Sequence, residues 1–241
     1  MIFGASSDVG KVRKENEDSF YIPAQNDNVN LFLIADGIGG QGHGKLASMM
    51  TIDEIVKYII KNNDNEIEKE KLLRNSVDYA NGCVKRFSEE NTQFSGMGTT
   101  LVAMLIDNGE AYVANAGDSR CYIIRNEIIS QITIDNSYVQ YLLQKGAITV
   151  EEAQRHPQRN LITKAIGMLD DVDVDIDCVK LYPGDILLLC TDGLTTMLSD
   201  EDILHIILKK NGNMQSIAED LVKKAKENGG TDNITAILVE V

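Results

Sequence analysis

The sequence is poor in proline, with three in 241 residues, and it has no stretch rich in proline or serine. A chain of this length suits one large domain or two small ones. Because neither a linker nor an internal repeat divides it, we expect one compact domain over residues 1–241.

Long apolar runs are also missing from the sequence. None approaches the roughly 18 residues that a membrane span needs, and residues 1–18 lack the apolar core of a secretion signal. We therefore expect a cytoplasmic protein that does not insert into membranes. The cysteines form no C-x-x-C pair, which argues against a zinc site and predicts reduced packing residues: Cys83, Cys121, Cys178 and Cys190.

Basic residues are outnumbered, at 23 against 37 acidic ones, which gives a formal net charge of −14. Such a surface repels nucleic acid and anionic lipid, so we expect neither as a partner. A phosphate group can still bind an acidic protein where cations or nearby arginines reverse the local field. Apolar residues make up 43% of the chain, enough for a substantial core.

The hydrophobic periodicity predicts helices in two pairs. They cover about 45–61, 66–90, 200–209 and 214–227. Strands are predicted at about 20–22, 31–35, 100–106, 110–116, 120–125, 127–132, 172–180, 185–190 and 234–239. Consecutive strands alternating with helix pairs favour an α+β fold, in which helices pack outside antiparallel sheets.

A glycine-rich segment, LFLIADGIGGQGHGKLAS at residues 31–48, contains the spacing G-x-G-x-x-G. A dinucleotide site would need a second strand after its helix, with an acidic residue about 20 positions on. Here that position falls in or at the end of a predicted helix, and the carboxylate of Asp36 would face the pyrophosphate. We therefore interpret the segment differently, starting from Asp36.

Acidic residues stand at the ends of apolar strands in five places, most of them beside glycine. They are Asp18, Asp36, Asp118, Asp192 and Asp232. One Asp-Gly pair is usually only a turn, but five that meet at one edge would crowd several carboxylates together. Like charges raise each other's pKa, and divalent cations remove the conflict. Oxygen ligands suit Mg²⁺ or Mn²⁺, and Gly37 would let a backbone carbonyl approach an ion.

Two such ions about 3.5–4 Å apart can lower the pKa of a shared water and activate it for in-line attack on a phosphate ester. A positive side chain is still needed to hold the phosphate. Arg13, five residues before Asp18, is the best-placed candidate; otherwise it is a solvated arginine in the basic patch KVRK.

Seven segments, in order along nearly the whole chain, resemble bacterial metal-dependent protein serine/threonine phosphatases of the 2C type, the PPM family. They are RKENEDSF (13–20), ADGIGGQGHGKLAS (35–48), GMGTTL (96–101), NAGDSRCY (115–122), HPQRNLITKAIG (156–167), PGDILLLCTDGL (183–194) and GGTDNITAILV (229–239). The resemblance implies a four-layer αββα sandwich, with two central antiparallel sheets flanked by paired antiparallel helices. It also implies a mobile flap near the catalytic cleft, at about 136–166.

The resemblance further implies a centre of two Mn²⁺ or Mg²⁺ ions, with a third in bacterial relatives. Asp36 would bridge two ions and Gly37 would lend its carbonyl, while Asp192 and Asp232 would complete the first site. Asp118 would help Asp192 hold the third ion.

Around these ligands, the resemblance gives Asp18 and Glu17 roles mostly through metal-bound waters and places Asn233 as a support beside them. Arg13 would bind the substrate phosphate. Arg13, Asp36 and Asp192 would be the catalytic residues.

Three positions depart from the family pattern without touching the expected metal ligands. Ile38 stands where eukaryotic members carry a histidine proposed as general acid. Gln41 stands where many bacterial members have histidine, and Lys45 where they often have glutamate. The proton donor for the leaving group is therefore open, with His43 or a metal-bound water as candidates.

The expected function is hydrolysis of phosphoserine and phosphothreonine on proteins by a monomer, reversing a bacterial serine/threonine kinase. One alternative is a pseudophosphatase that only binds phosphoproteins or a kinase. Another is a narrow regulator of one small partner, although such relatives usually carry sensor domains for which this chain has no spare length.

Overall fold

The computed structural model describes residues 1–24, 28–39, 42–63, 67–209 and 213–241. Its strands are β1 (Ile2–Asp8), β2 (Ser19–Tyr21), β3 (Asn30–Ala35), β4 (Gly37–Ile38), β5 (Gly98–Thr99), β6 (Leu101–Asp107), β7 (Glu110–Ala116), β8 (Arg120–Arg125), β9 (Ile128–Gln131), β10 (Asp175–Lys180), β11 (Ile186–Cys190) and β12 (Ile234–Glu240). Its α-helices are α1 (His43–Asn62), α2 (Lys69–Glu90), α3 (Tyr138–Gln144), α4 (Val150–Gln154), α5 (Asp192–Thr195), α6 (Asp200–Lys209) and α7 (Met214–Glu227).

The strands form two five-stranded antiparallel sheets and one short ladder. The first sheet has the order β1-β12-β11-β8-β9 and the second has the order β10-β7-β6-β3-β2. Strands β4 and β5 pair separately, with Gly37 opposite Thr99. In the first sheet, the first strand of the chain pairs with the last over their whole length, from Ile2 opposite Glu240 to Asp8 opposite Ile234.

The central strands are apolar throughout because both faces of each sheet are covered. In β3, Leu31 and Leu33 pack toward α1 and α2, whereas Phe32 and Ile34 pack toward the other sheet. Successive side chains of a strand point to opposite faces, so one apolar run serves two separate cores. This explains why the strand reads as a continuous hydrophobic segment rather than an alternating one.

Helix pairs cover the two outer faces. On the second sheet, α1 contributes Ile55 and Ile59 and α2 contributes Leu73 and Val77. On the first sheet, α6 and α7 contribute a further set of buried side chains: Ile203, Ile207, Ile217, Leu221 and Val222. A third cluster lies between the sheets. The order of layers is helix, sheet, sheet, helix, which confirms the predicted αββα sandwich.

Three expectations need correction. Strand β1 was not predicted, and β10 begins at Asp175 rather than at 172. Among the cysteines, Cys121 and Cys190 are buried as expected, but Cys178 is exposed on the edge strand β10 and Cys83 is only half-buried.

Among the described helices, none is long and apolar enough to cross a membrane.

Candidate metal centre

The structure brings the five acidic strand ends together at one pole of the sandwich. The pKa of Asp36 is raised well above its ordinary value, first by burial and then by the negative charges of Asp18, Asp192, Asp118 and Asp232. Asp36 and Asp192 are close enough to hydrogen-bond when one of them is protonated. Turn chemistry alone does not require such crowding, so the arrangement favours a binding site.

The backbone around Asp36 is fastened by the segment that enters β6. The Asp36 N–H donates to Thr100 Oγ1 at 3.0 Å, and the Asp36 carbonyl accepts from Thr99 Oγ1 at 2.7 Å and Thr100 N at 2.8 Å. Thr100 Oγ1 also shares a 2.7 Å hydrogen bond with Ser119 Oγ, beside Asp118. These bonds fix the backbone of Asp36 at the end of β3, and therefore the position from which its side chain extends.

Asp18 is held by hydroxyl groups of two other strand ends. Its Oδ2 accepts from Thr191 Oγ1 at 3.1 Å and from Thr235 Oγ1 at 2.6 Å. Its Oδ1 is buried and has no hydrogen-bond partner within the described residues. Burial, with the nearby charges of Asp192 and Asp232, raises the pKa of Asp18 to about 7 despite the two hydroxyl donors.

The pKa values of Asp192 and Asp118 are raised as well. Burial and the charge of Asp232 raise the pKa of Asp192, and its Oδ1 is buried without a partner in the part of the chain that is described. Burial and the charges of Asp192 and Asp135 raise the pKa of Asp118 to about 7. Arg120 lowers the pKa of both carboxylates and Arg13 lowers that of Asp192, but burial and repulsion between the acids outweigh these charges.

Asp232 already has a cationic neighbour. Arg13 Nη2 donates to Asp232 Oδ2 at 2.7 Å, and this hydrogen bond is the main cause of the raised pKa of Arg13. The Arg13 side chain is 52% exposed, so its guanidinium is accessible from solvent. The negative charges of Asp36 and Glu17 also raise the pKa of Arg13, which places its guanidinium at the rim of the pole.

The loop that carries Arg13 is anchored by Asn233. The Asn233 Oδ1 accepts from Glu17 N at 2.9 Å, and its Nδ2 donates to the carbonyls of Val9 and Glu15 at 3.1 and 2.9 Å. Glu17 Oε1 is a third buried carboxylate oxygen without a partner in the described ranges. Glu17 and Asn233 thus lie beside the acids.

Glycine beside the acids allows the loops to approach each other. A Cβ at Gly193 would overlap the carbonyl oxygen of Asn233, so the Asp192 turn could not pack on the Asp232 turn with any larger residue. A Cβ at Gly37 would overlap the backbone of Gly44 in the first turn of α1. Gly37 was expected to let its carbonyl approach an ion; the structure gives it a packing role as well.

A cleft of about 740 Å³ opens from the acids toward the segment predicted as a flap. Its floor includes Asp118, Asp192 and Asp232, and its far wall includes Leu143 and Arg159 of the flap. A second cleft, of about 650 Å³, lies on the other side of the flap and contains none of the five acids. The first cleft is therefore the one in which a ligand could reach Asp118, Asp192 and Asp232, whereas Asp18 lines a further cleft of about 470 Å³ together with Lys45.

The flap is tied at both ends to backbone that adjoins the acids. At its start, Asn136 N donates to the Gly117 carbonyl at 2.7 Å, next to Asp118. At its end, Thr99 and Ile166 exchange backbone hydrogen bonds of 3.1 and 2.9 Å. Between these ties, the helices α3 and α4 confirm the partly helical character predicted for residues 136–166.

The residues that depart from the family pattern have ordinary neighbours. Ile38 pairs with Gly98 in the short ladder. The ring of His43 packs edge-on against Phe94, with centroids 5.3 Å apart. Gln41 lies outside the described residues. Lys45 contacts the backbone of Asp18 and is considered further below.

The donor set at the pole fits hard divalent cations. It consists of carboxylate and carbonyl oxygens, the ligands that Mg²⁺ and Mn²⁺ prefer. Three buried carboxylate oxygens there, on Glu17, Asp18 and Asp192, have no partner within the described residues, and a buried anionic oxygen of this kind is costly unless a cation compensates it. However, no three His, Cys, Asp or Glu side chains in the described ranges form a ready-made ligand group.

Sequence reasoning missed the hydroxyl residues that position the acids: Thr99, Thr100, Ser119, Thr191 and Thr235. Each stands within two residues of an acid or of a strand end, but threonine is also common inside strands. The runs T-T, D-S and T-D beside the acids were the available signal, and it is a weak one.

Comparison with known proteins shows what the chain is similar to. A family model described as "Protein phosphatase 2C" matches residues 11–238. The chain is 35% identical over 237 residues to "Serine/threonine phosphatase stp" of Listeria monocytogenes, covering 97% of this chain and 93% of that protein. Its fold is similar to the crystal structure of the Mycobacterium tuberculosis serine/threonine phosphatase PstP/Ppp, with a TM-score of 0.90, 34% identity and coverage of 99% and 97%. It is also similar to the catalytic domain of serine/threonine protein phosphatase PstP in complex with two manganese ions, with a TM-score of 0.87, 33% identity and coverage of 99% and 96%.

Proposed function

The chain belongs to the protein phosphatase 2C family and is a metal-dependent serine/threonine phosphatase, and we propose that the acidic pole is its active site. The observation that supports this most is the convergence of five carboxylates, with three buried oxygens left without partners among the described residues. Because the protein is an enzyme, the alternative of a module that only binds phosphoproteins is set aside.

In this proposal, Asp36, Asp192 and Asp232 hold Mn²⁺ or Mg²⁺ together with the carbonyl of Gly37. Asp118 provides a further ligand beside Asp192, and Asp18 and Glu17 bind mostly through water. When bound, the ions supply a water of lowered pKa and offset charge on the phosphate oxygens. The threonine and serine hydroxyls fix the acids, so that little rearrangement is needed when ions and substrate bind.

Arg13 is proposed to bind the substrate phosphate. Its guanidinium is planar and can donate two parallel hydrogen bonds to phosphate oxygens. Its present bond holds it beside Asp232, which lines the cleft. Once a cation compensates Asp232, the guanidinium is free to turn toward an incoming phosphate group.

The cleft beside the flap is proposed to receive the polypeptide that carries the phosphoresidue. Its floor of acids repels a free phosphate dianion, so binding there depends on the ions and on Arg13. For the leaving group, Ile38 has no proton to give and the ring of His43 packs against Phe94, so a water near the acids is the proposed donor.

The partners are proposed to be phosphorylated proteins, including a bacterial serine/threonine kinase and its substrates. The acidic surface, with a formal net charge of −14, disfavours nucleic acid as a partner. We also propose that the protein acts in the cytoplasm as a monomer and that residues 1–241 form one catalytic domain.

The test is hydrolysis of p-nitrophenyl phosphate and of a phosphothreonine peptide with Mn²⁺, with Mg²⁺ and with excess chelator. We expect turnover only with a divalent ion. Asp192→Asn should lower kcat/KM by at least roughly 100-fold, because even residues behind metal ligands cost 10- to 100-fold. Asp171→Asn, a loss of the same charge at an exposed position, is the matched control. Full activity in chelator, or equal activity of the two variants, would contradict the assignment.

A further inference from the structure

The first turn of α1 carries a positive charge in an unfavourable place. Lys45 is the third residue of the helix, after the N-cap residue Gly42, and the first turn contains no acidic residue. The N-terminus of a helix has a partial positive charge of its own, so a cation in the first turn is disfavoured. Something outside the helix must compensate Lys45.

The contacts of Lys45 show where that compensation lies. Its Nζ donates to the backbone carbonyl of Asp18 at 2.6 Å and to Ser19 Oγ at 3.3 Å, and to no carboxylate among the described residues. Ser48, one turn further along α1, donates to the Glu17 carbonyl at 2.6 Å and shares a 2.8 Å bond with Ser19. Helix α1 thus holds residues 17–19 by hydrogen bonds from one side.

The opposite side of the same segment is held by the two threonines that bind the Asp18 carboxylate. Asp18 is therefore fixed at both its carbonyl and its carboxylate. Covalent geometry keeps an ammonium group on the carbonyl of a residue within roughly 8 Å of that residue's carboxylate. The ammonium of Lys45 consequently lies near the Asp18 carboxylate, since both residues line the same cleft of about 470 Å³, while its printed hydrogen bonds go to the Asp18 carbonyl and Ser19 Oγ.

We propose that Lys45 is a positioning residue that acts as a fixed counter-charge: it holds Asp18 in place in the metal-free protein and weakens the binding of a divalent ion beside it. This inference rests on the proposed function, because it assumes that the pole binds Mn²⁺ or Mg²⁺. In the metal-free protein, the ammonium offsets part of the repulsion among the acids. When an ion enters, the same ammonium repels it.

The two effects can be separated with two substitutions. Lys45→Met removes both the charge and the donor, whereas Lys45→Gln removes the charge and keeps a donor for the Asp18 carbonyl. Lys57→Met and Lys57→Gln are the matched controls, because Lys57 lies on the same helix and is bonded to Glu54 on the exposed face. The readouts are the Tm in excess chelator and the Kd for Mn²⁺ alone, measured by calorimetry at low and high salt.

Lys45→Met should lower the metal-free Tm by about 2–8 °C, since it leaves the carbonyl of buried Asp18 without its donor. Lys45→Gln should bind Mn²⁺ more tightly at low salt, by up to about fivefold, the effect of a unit charge on a divalent ion roughly 8 Å away in a water-like dielectric. High salt should shrink that difference. The Lys57 variants should match the wild type in both measurements.

An unchanged Tm for Lys45→Met would overturn the positioning role. An unchanged or weaker Mn²⁺ affinity for Lys45→Gln would overturn the counter-charge role. If the wild type binds no Mn²⁺ at all, the proposed function itself fails, and the metal-free Tm comparison still decides whether Lys45 positions Asp18.

Discussion

Removing the negative charge of Asp18 should stabilise the metal-free protein. Asp18 is 3% exposed, and burial with neighbouring charges raises its pKa from 3.8 to about 7. Between those two pH values, the folded protein keeps a proton that the unfolded chain has lost. The free energy of unfolding therefore falls as the pH rises through this window and stays low above it.

The size of the effect follows from the same pKa values. Each pH unit in the window costs about 1.4 kcal/mol, so the upper limit is about 4 kcal/mol. Water entry and relaxation around a coupled set of acids reduce this, and we expect about 2 kcal/mol. The amide oxygen introduced by Asp18→Asn can still accept the hydrogen bonds from Thr191 and Thr235. For a chain of this size, the Tm should rise by about 4–8 °C.

The assay is thermal unfolding of the wild type and Asp18→Asn in excess chelator from pH 4 to pH 8, with Asp171→Asn as the control for loss of a surface charge. The variant should gain stability over the wild type as the pH rises to about 7, with no further gain above. Saturating Mn²⁺ should reverse the order, because ion binding stabilises the protein whose ligands are intact. A gap that does not change with pH, or a less stable variant at pH 8, would refute the reasoning.

Three other substitutions or reagents test separate parts of the site. Arg13→Ala should raise the KM for a phosphothreonine peptide about tenfold with a smaller change in kcat, because it removes a group that binds phosphate before and during reaction; an unchanged KM would exclude that role. Thr100→Val should lower the free energy of unfolding by about 1–3 kcal/mol by leaving the buried Asp36 N–H without an acceptor, whereas Thr100→Ser should stay near the wild type in denaturant titrations. Thiol titration of the native protein should modify exposed Cys178 quickly and buried Cys121 only on unfolding; rapid reaction of Cys121 would mean that the inter-sheet core opens.

Much of the fold could be read from local pattern. Helices α6 and α7 and strands β7 and β8 have the predicted bounds, since strong periodicity and turn residues mark their ends. Strand β1 was not predicted because its sequence, IFGASSD, has few of the β-branched and aromatic residues that are typical of strands. It is a strand because it pairs with β12 at the other end of the chain, and no local signal predicts that pairing.

The short ladder of β4 and β5 was missed for the same reason. Two residues on each side pair across about 60 positions of sequence, and the short segment GMGTT has no strand pattern of its own. The ladder places Thr99 and Thr100 against the backbone of Asp36. The acids could be found from the sequence because carboxylates at strand ends are chemically conspicuous. The hydroxyl groups that hold them could be found only once the topology was known.

The central claim is that the acidic pole binds divalent ions, and crystals of the protein grown with Mn²⁺ test it most directly. Anomalous diffraction should show at least two peaks at this pole, one of them shared by Asp36 and lying roughly 2.0–2.6 Å from oxygens of Asp192 and Asp232. No peak at the pole at a concentration of Mn²⁺ that supports turnover, or peaks only elsewhere on the surface, would contradict the account.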